Sequence, residues 1–341
     1  MSLKLNSILE LTSSGLLLLA VGCKALSSVY LNDCKGIAGS TEWLEHLGTN
    51  GALEELVVKN CKGIGQYHFL MFGPGWMKLQ KFEFENEQSF WSIFRRDHDP
   101  SYKAHTYGYD LLCEGLMDLR LTCKNLKSIS LWLKPEHYNV GDDIVFRTGF
   151  TDESLKALAL NCPFLQHVQL IFTGCEHWHP PEIGFTQEGL VMLVQSCPIH
   201  VLVLNGALFF DNEGMEDLSS APFLETLTLM DCKDVTDHGM LCIVHFPCLI
   251  NLTLRYCQRV TDVGMTKLAH AQKLQSLVVG GCPMISEKEG TMLFGCTGLF
   301  IPADPDADAA SVLTSATLVR SSNDGSKIID NFTIKVRLPE I

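Results

Sequence analysis

Hydrophobic residues recur at one fixed spacing in the second half of the chain. Leu224, Leu249 and Leu274 each open the pattern L-x-x-L-x-[LV]-x-x-C, so the pattern repeats every 25 residues. The alternation inside it predicts a short strand with one buried and one outward face. A second pattern, Gly or Ser followed by Leu and ending at Cys eight residues later, marks the helical half of each unit. It occurs at Gly15 to Cys23, Gly115 to Cys123, Ser154 to Cys162 and Gly189 to Cys197.

Units of one strand and one helix at this length are typical of leucine-rich repeats. We count about nine such units from Cys23 to Cys296, with a partial one before them. One strand and one helix cannot bury their apolar faces alone, so neighbouring repeats stack into a continuous core. The sequence therefore predicts an α/β leucine-rich-repeat solenoid over residues 1–296. We expect a horseshoe with a parallel β-sheet on its concave side and helices on its convex side.

Composition narrows the class of partner. A chain of 341 residues suggests two globular domains, but a repeat array grows in one dimension, so one elongated domain is predicted. The net charge is −13 with only 26 Lys and Arg residues, which argues against nucleic acid as a partner. Ten of the 14 cysteines follow the repeat register and are predicted to be small buried residues. Free buried thiols at this density favour the cytoplasm or the nucleus.

The two ends of the chain carry weaker patterns. The apolar run Leu16 to Val21 resembles a signal sequence but fits the helix of a repeat, and no apolar stretch is long enough to span a bilayer. No membrane partner is therefore expected. In the tail, residues 297–341, Ile301 to Gly325 has an unstructured composition. Alternation at Phe332, Ile334, Val336 and Leu338 predicts a strand, which either caps the sheet or is unrelated to it.

The motif after the strand resembles a known family. It is CKDVTDHGM from Cys232 and CQRVTDVGM from Cys257, with weaker copies FTDESL from Phe150 and FTQEGL from Phe185. This pattern is similar to the cysteine-containing repeats of F-box/leucine-rich-repeat proteins, particularly those of plants. The resemblance implies a receptor that holds a target protein or degron for an SCF-type ubiquitin ligase. No F-box precedes Cys23, so we expect Skp adaptor and cullin partners only for a longer form, and an array that begins without an N-terminal cap.

Two other function classes are compatible with a leucine-rich repeat. A leucine-rich-repeat scaffold or inhibitor without a ubiquitin connection is the main alternative, and an RNA-associated repeat protein is disfavoured by the charge. Cys175, His177 and His179 offer three zinc ligands but no fourth, so no metal is predicted. The charged run Arg95 to Asp99 lacks a nucleophile motif, and no phosphate-binding glycine loop is present. We therefore expect no enzyme activity and no cofactor.

Two groups of residues are predicted to bind the partner. Outward strand positions that stand out are Tyr30, Trp132, His167, Gln169, Met230 and Arg255, because exposed aromatic and arginine side chains often dominate interfaces. Three insertions also interrupt consecutive units, each between a strand and its helix. They are rich in aromatic residues, including Trp91, Phe94, Tyr107, Tyr109, Tyr138 and Trp178. We predict that these loops and Trp132 form the recognition surface; the alternative is that their aromatics only pack the loops onto their own repeats.

Overall fold

A computed structural model describes residues 1–37, 40, 42–61, 64, 76–85, 123–134, 136–140, 143–148, 150–173, 184–268, 270–271, 273–285, 317–320 and 332–337. The chain divides into two compact units, Met1–Ile199 and His200–Ile341. Their boundary lies inside the stretch 1–296 that the sequence predicts as one repeat domain.

The first unit alternates strands and helices. Its elements are β1 (Ser2–Asn6), α1 (Ser13–Gly22), β2 (Ser28–Asn32), α2 (Glu42–Thr49), β3 (Glu55–Lys59), β4 (Lys81–Glu85), β5 (Ser128–Leu133), β6 (Glu136–Val140), β7 (Asp143–Arg147), α3 (Asp152–Asn161), β8 (His167–Phe172) and α4 (Gln187–Ser196). Strands β1, β2, β3, β4, β5 and β8 pair in parallel in that order. The antiparallel pair β6–β7 occupies one predicted insertion, between β5 and α3.

The second unit continues the same plan. Its elements are β9 (Val201–Asn205), α5 (Asn212–Leu218), β10 (Thr226–Met230), α6 (Asp237–Cys242) with a 3₁₀ turn (Ile243–His245), β11 (Asn251–Arg255), α7 (Asp262–Leu268), β12 (Ser276–Gly280), β13 (Thr317–Arg320) and β14 (Phe332–Arg337). Strands β9 to β12 are parallel, and β14 pairs antiparallel with both β12 and β13. Strand β13 lies within the stretch 301–325 that composition predicts to be unstructured.

The 25-residue period is the register of the parallel strands. Leu227 of β10 is opposite Leu252 of β11, which is opposite Leu277 of β12. Each of these leucines is at most 1% exposed, because the inward face of the sheet packs beneath the helices. The fold is an α/β leucine-rich-repeat solenoid, as the sequence predicted.

Successive helices are linked at their N-termini by a hydrogen-bond ladder. The Asp237 carboxylate, at the start of α6, accepts hydrogen bonds from the Thr261 N–H at 2.7 Å and the Thr261 hydroxyl at 2.6 Å. Thr261 directly precedes α7, so the start of α7 is held by the repeat before it. Asp152 does the same for Thr186 in the first unit, accepting from its N–H at 2.9 Å and from its hydroxyl. The ladder explains the Thr-Asp pair of the repeat motif.

The glycine of the motif leaves room for this ladder. A Cβ atom at Gly264 would lie 2.4 Å from Asp237 Oδ1, and one at Gly239 would lie 2.9 Å from Asn212 Oδ1. Real Cβ atoms essentially never approach another atom closer than 3.0 Å, and the approach at Gly264 is the shorter of the two. Only glycine therefore fits the third position of α7 without displacing the carboxylate of the preceding repeat.

The cysteines after the strands fill a buried row. The Cys232 thiol lies 3.9 Å from the Leu204 carbonyl oxygen, and the Cys257 thiol lies 3.7 Å from that of Leu229, one repeat earlier in each case. Each thiol therefore has a backbone acceptor in the preceding strand.

Most register cysteines are buried, as the sequence predicted. The buried members are Cys34, Cys61, Cys123, Cys162, Cys197, Cys232, Cys257 and Cys282. Cys23 departs from the prediction because it is only partly buried, and Cys242 is buried although it lies outside the register. All 11 cysteines in the described part of the chain are free thiols. Across the described helices, none is long and apolar enough to cross a membrane.

Candidate protein-binding face

The outward face of the first unit begins with a polar cluster around Tyr30. Tyr30 of β2 donates its hydroxyl to the Glu55 carboxylate of β3, and Lys4 Nζ of β1 lies 4.7 Å from the centre of the Tyr30 ring. The hydrogen bond to Glu55 is the main reason that the pKa of Tyr30 rises to about 12. Tyr30 is thus fixed by both neighbouring strands rather than free on the surface.

Beside this cluster, the lysines of the face are neutralised by glutamates. Lys59 Nζ lies 3.3 Å from a Glu83 oxygen and 3.2 Å from a Glu85 oxygen, and Lys81 Nζ lies 3.0 Å from Glu83. Burial alone would raise the pKa of the Glu83 carboxyl, but the two lysines outweigh it, so that pKa is lowered. This part of the face carries paired charges and offers no basic stripe.

Next to the paired charges, the outward face of β5 and β8 combines a tryptophan with polar side chains. Trp132 of β5 is partly exposed and lies in register with Ile171 of β8. Gln169 is also partly exposed and pairs in register with Ser130, whereas His167 is exposed. Trp132 and Gln169 are therefore diagonal neighbours on adjacent strands, whereas His167 is in register with Ser128, four residues before Trp132.

Two outward positions are more buried than strand alternation predicts. Val57 is 6% exposed because its register neighbours on either side are the longer Tyr30 and Glu83. Ile171 is 7% exposed beside Trp132. Alternation identifies the face that a side chain occupies, whereas the size of the neighbouring side chains decides whether solvent reaches it.

The outward face of the second unit is built mainly from small or β-branched residues. Its four parallel strands present, in order along each strand, Val201, Val203 and Asn205; Thr226, Thr228 and Met230; Asn251, Thr253 and Arg255; and Ser276, Val278 and Gly280. Met230 is partly exposed and Arg255 is exposed, and the two are register neighbours. In this unit too, two predicted binding residues lie side by side.

The remaining predicted residues fall mostly outside the described part of the chain. This holds for the loop residues Trp91, Phe94, Tyr107, Tyr109 and Trp178, and also for Cys175, His177 and His179. Tyr138 lies in β6, with its backbone in register with Val145, but its side chain is outside the described part. Elsewhere, the described residues contain no group of three or more metal-ligand side chains.

Sequence reasoning missed Tyr256, which directly follows Arg255. Its φ angle is +55°, and the side chain is 47% exposed. The equivalent positions after other strands carry Asp33, Asn60 and Asp231, residue types that tolerate this backbone conformation. Comparison of those positions in the sequence would have revealed the unusual tyrosine.

Comparisons with known proteins add similarity of fold only. No protein-family model matches the chain. A chain from the crystal structure of the Rad7 and Elc1 complex in yeast is 17% identical; the match covers 84% of this chain and 78% of that one, with a TM-score of 0.45. An internalin from Listeria monocytogenes is 14% identical, with coverage of 84% and 67% and a TM-score of 0.44. Similarity at this level carries no argument about activity or partners.

Proposed function

We propose that this chain is a protein-binding leucine-rich-repeat domain that uses the outward faces of its sheets. The observation that carries the proposal is the partly exposed Trp132 of β5, which lies in register with Ile171 and diagonal to Gln169 on β8. Tryptophan joins a large apolar area to a single hydrogen-bond donor and is frequent at binding hot spots. The aromatic insertions predicted from the sequence are proposed to extend this surface.

The charges of the face favour a protein partner over a nucleic acid. Lys59 and Lys81 are paired with glutamates, and Lys4 lies over the Tyr30 ring. A phosphate backbone needs several free cations in line. Among the outward positions of β1 to β5 and β8 to β12, Arg255 is the one lysine or arginine without such a partner.

The experiment compares target capture by the wild-type chain and the Trp132→Ala variant. Proteins captured from a cell extract are identified by mass spectrometry, and the affinity of the leading partner is then measured with purified components. Loss of a hot-spot tryptophan should weaken binding by about 2 kcal/mol or more, which is roughly 30-fold.

Phe164→Ala is the matched control. Phe164 is an aromatic residue that is 53% exposed and lies after α3, off the strands of the sheet. Its removal should leave capture unchanged, and both variants should keep the wild-type far-UV spectrum. Equal capture by wild type and Trp132→Ala would contradict a binding site on this face.

We further propose that the domain selects targets for an SCF-type ubiquitin ligase. The support is the resemblance of the repeats that begin at Cys232 and Cys257 to those of F-box proteins. The test is whether the longest natural form of the protein co-purifies with a Skp adaptor and promotes ubiquitin transfer to a captured target. Capture of the target by that form without the adaptor would instead favour a scaffold or inhibitor.

A further inference from the structure

Strands β9 to β12 of the second unit carry one unpaired charge on their outward face. Of the twelve outward positions in β9 to β12, Arg255 is the one that carries a charged side chain. It is exposed and makes no ion pair with any described residue. This differs from Lys59 and Lys81 in the first unit, whose charges are neutralised by glutamates on neighbouring strands.

The neighbours of Arg255 leave its guanidinium accessible. Its register partners are Met230, which has no charge, and Gly280, which has no side chain. A guanidinium in this setting presents its planar donors to any ligand above the sheet. A carboxylate matches that geometry, because it accepts two parallel hydrogen bonds from one arginine.

Tyr256 directly follows this cation in the chain and adds an exposed aromatic ring. Its backbone adopts φ +55°, which is unfavourable for a bulky side chain. The ring lies against Gly281, where an added Cβ would be 2.4 Å from Tyr256 Cε1. The glycine therefore makes room for the ring, and the side chain still remains 47% exposed. The phenol can supply a second hydrogen-bond donor to an anion held at Arg255.

The middle row of the same face is apolar or β-branched. It runs from Val203 through Thr228 and Thr253 to Val278 in consecutive register. In the row below, Asn251 Nδ2 donates to Thr226 Oγ1 at 3.0 Å, so these two polar groups already satisfy each other. Within β9 to β12 the outward face thus pairs one exposed arginine with an uncharged platform, an arrangement that fits a peptide with one acidic residue.

We propose that Arg255 and Tyr256 bind an Asp or Glu side chain of a partner peptide that lies across β9 to β12. The flanking peptide residues are apolar and contact the row from Val203 to Val278. This inference rests on the proposed protein-binding function and specifies the chemistry of the partner.

In the test, the full chain is screened against a library of random peptides. The peptides are unphosphorylated and their C-termini are amidated. Wild type should select sequences with Asp or Glu at one fixed position, next to apolar residues. Replacing that acid by Lys in a selected peptide should weaken binding at least about tenfold, as expected for a charge-assisted contact. The Arg255→Glu variant should reverse this preference and bind the Lys peptide better. Tyr256→Phe should weaken the acidic peptide a few-fold.

Arg259→Glu is the matched control. Arg259 is also an exposed arginine of the second unit, but it is paired with Asp234 at 3.1 Å and lies outside the strands. This variant should keep the wild-type preference for acidic peptides, and thermal melts should show that all variants fold. The inference would be overturned if the selected peptides shared no acidic position. It would also be overturned if they bound Arg255→Glu as tightly as wild type. In both cases the proposed protein-binding function would still stand. Selection of no peptide by the wild type would overturn both.

Discussion

Gly264→Ala should destabilise the second unit although alanine is the better helix-forming residue. Gly264 is the third residue of α7, and a Cβ atom there would lie 2.4 Å from Asp237 Oδ1. The Asp237 carboxylate cannot move away without losing hydrogen bonds, because it accepts one from the Thr261 N–H at 2.7 Å and one from the Thr261 hydroxyl at 2.6 Å. The substitution therefore either makes the new Cβ overlap with Asp237 Oδ1 or breaks the hydrogen bonds that hold the start of α7.

The magnitude follows from two opposing terms. Hydrogen bonds to a charged group contribute about 1.5–3 kcal/mol, and displacement of Asp237 would sacrifice most of that. Replacing glycine by alanine inside a helix gains about 1 kcal/mol. The net loss should be about 0.5–2 kcal/mol, and each kcal/mol lowers the melting temperature by roughly 2–4 °C.

Urea unfolding followed by circular dichroism measures this loss, and a double-mutant cycle tests its cause. In an Asp237→Ala background the overlap is absent, so Gly264→Ala should become neutral or stabilising. Gly22→Ala is the control in α1, because a Cβ there meets nothing within 4 Å and should stabilise the chain slightly. An equal penalty for Gly264→Ala with and without Asp237 would refute the ladder as the reason for this glycine.

Three further predictions concern packing, thiol reactivity and pH. Gly48→Ala should destabilise the first unit by about 1–3 kcal/mol in urea unfolding, because its Cβ would lie 2.3 Å from Nε1 of the buried Trp76; an unchanged midpoint would contradict this packing. Iodoacetamide at neutral pH should label the exposed Cys248 and spare Cys232, whose pKa burial raises to about 12, until the chain unfolds; peptide mapping that finds equal labelling would refute it. The lowered pKa of Glu83 means that its ionised form contributes stability above the unfolded value of about 4.3 and loses it as pH falls through the folded pKa. Glu83→Gln should therefore reduce stability at neutral pH and flatten its decline below about pH 5 in a series of thermal melts, whereas parallel curves would oppose the assignment.

The strands of the repeats were predictable because their pattern is local. Leucines at alternating positions mark the inward face, and the 25-residue period gives the register directly, as Leu227, Leu252 and Leu277 show. Strand β1 shows that signal more weakly, since its two leucines, Leu3 and Leu5, are only partly buried. A strand recognised through repetition is easiest to find in the middle of the array.

The candidate site was less predictable, since it depends on side chains from different repeats. The alternation of the strand places Tyr30 on the outward face, yet Glu55 and Lys4 on the two neighbouring strands restrain its side chain. Val57 occupies an outward position and is nevertheless buried by longer neighbours. Sequence periodicity supplies the list of outward residues, but their exposure and pairing depend on contacts about one repeat apart.

The structure also changes how the repeat motif bears on function. Within V-T-D-x-G-M, the Thr and Asp build the ladder between helices, and the Gly, as at Gly264, leaves room for the aspartate of the preceding repeat. These motif residues are accounted for by folding alone, so the resemblance they carry identifies a repeat architecture more directly than a partner. Specificity for a partner must then depend on positions whose residue type the motif does not fix. Arg255 and Tyr256 are such positions: neither is needed for the strand register, and one adopts a backbone conformation that its side chain disfavours.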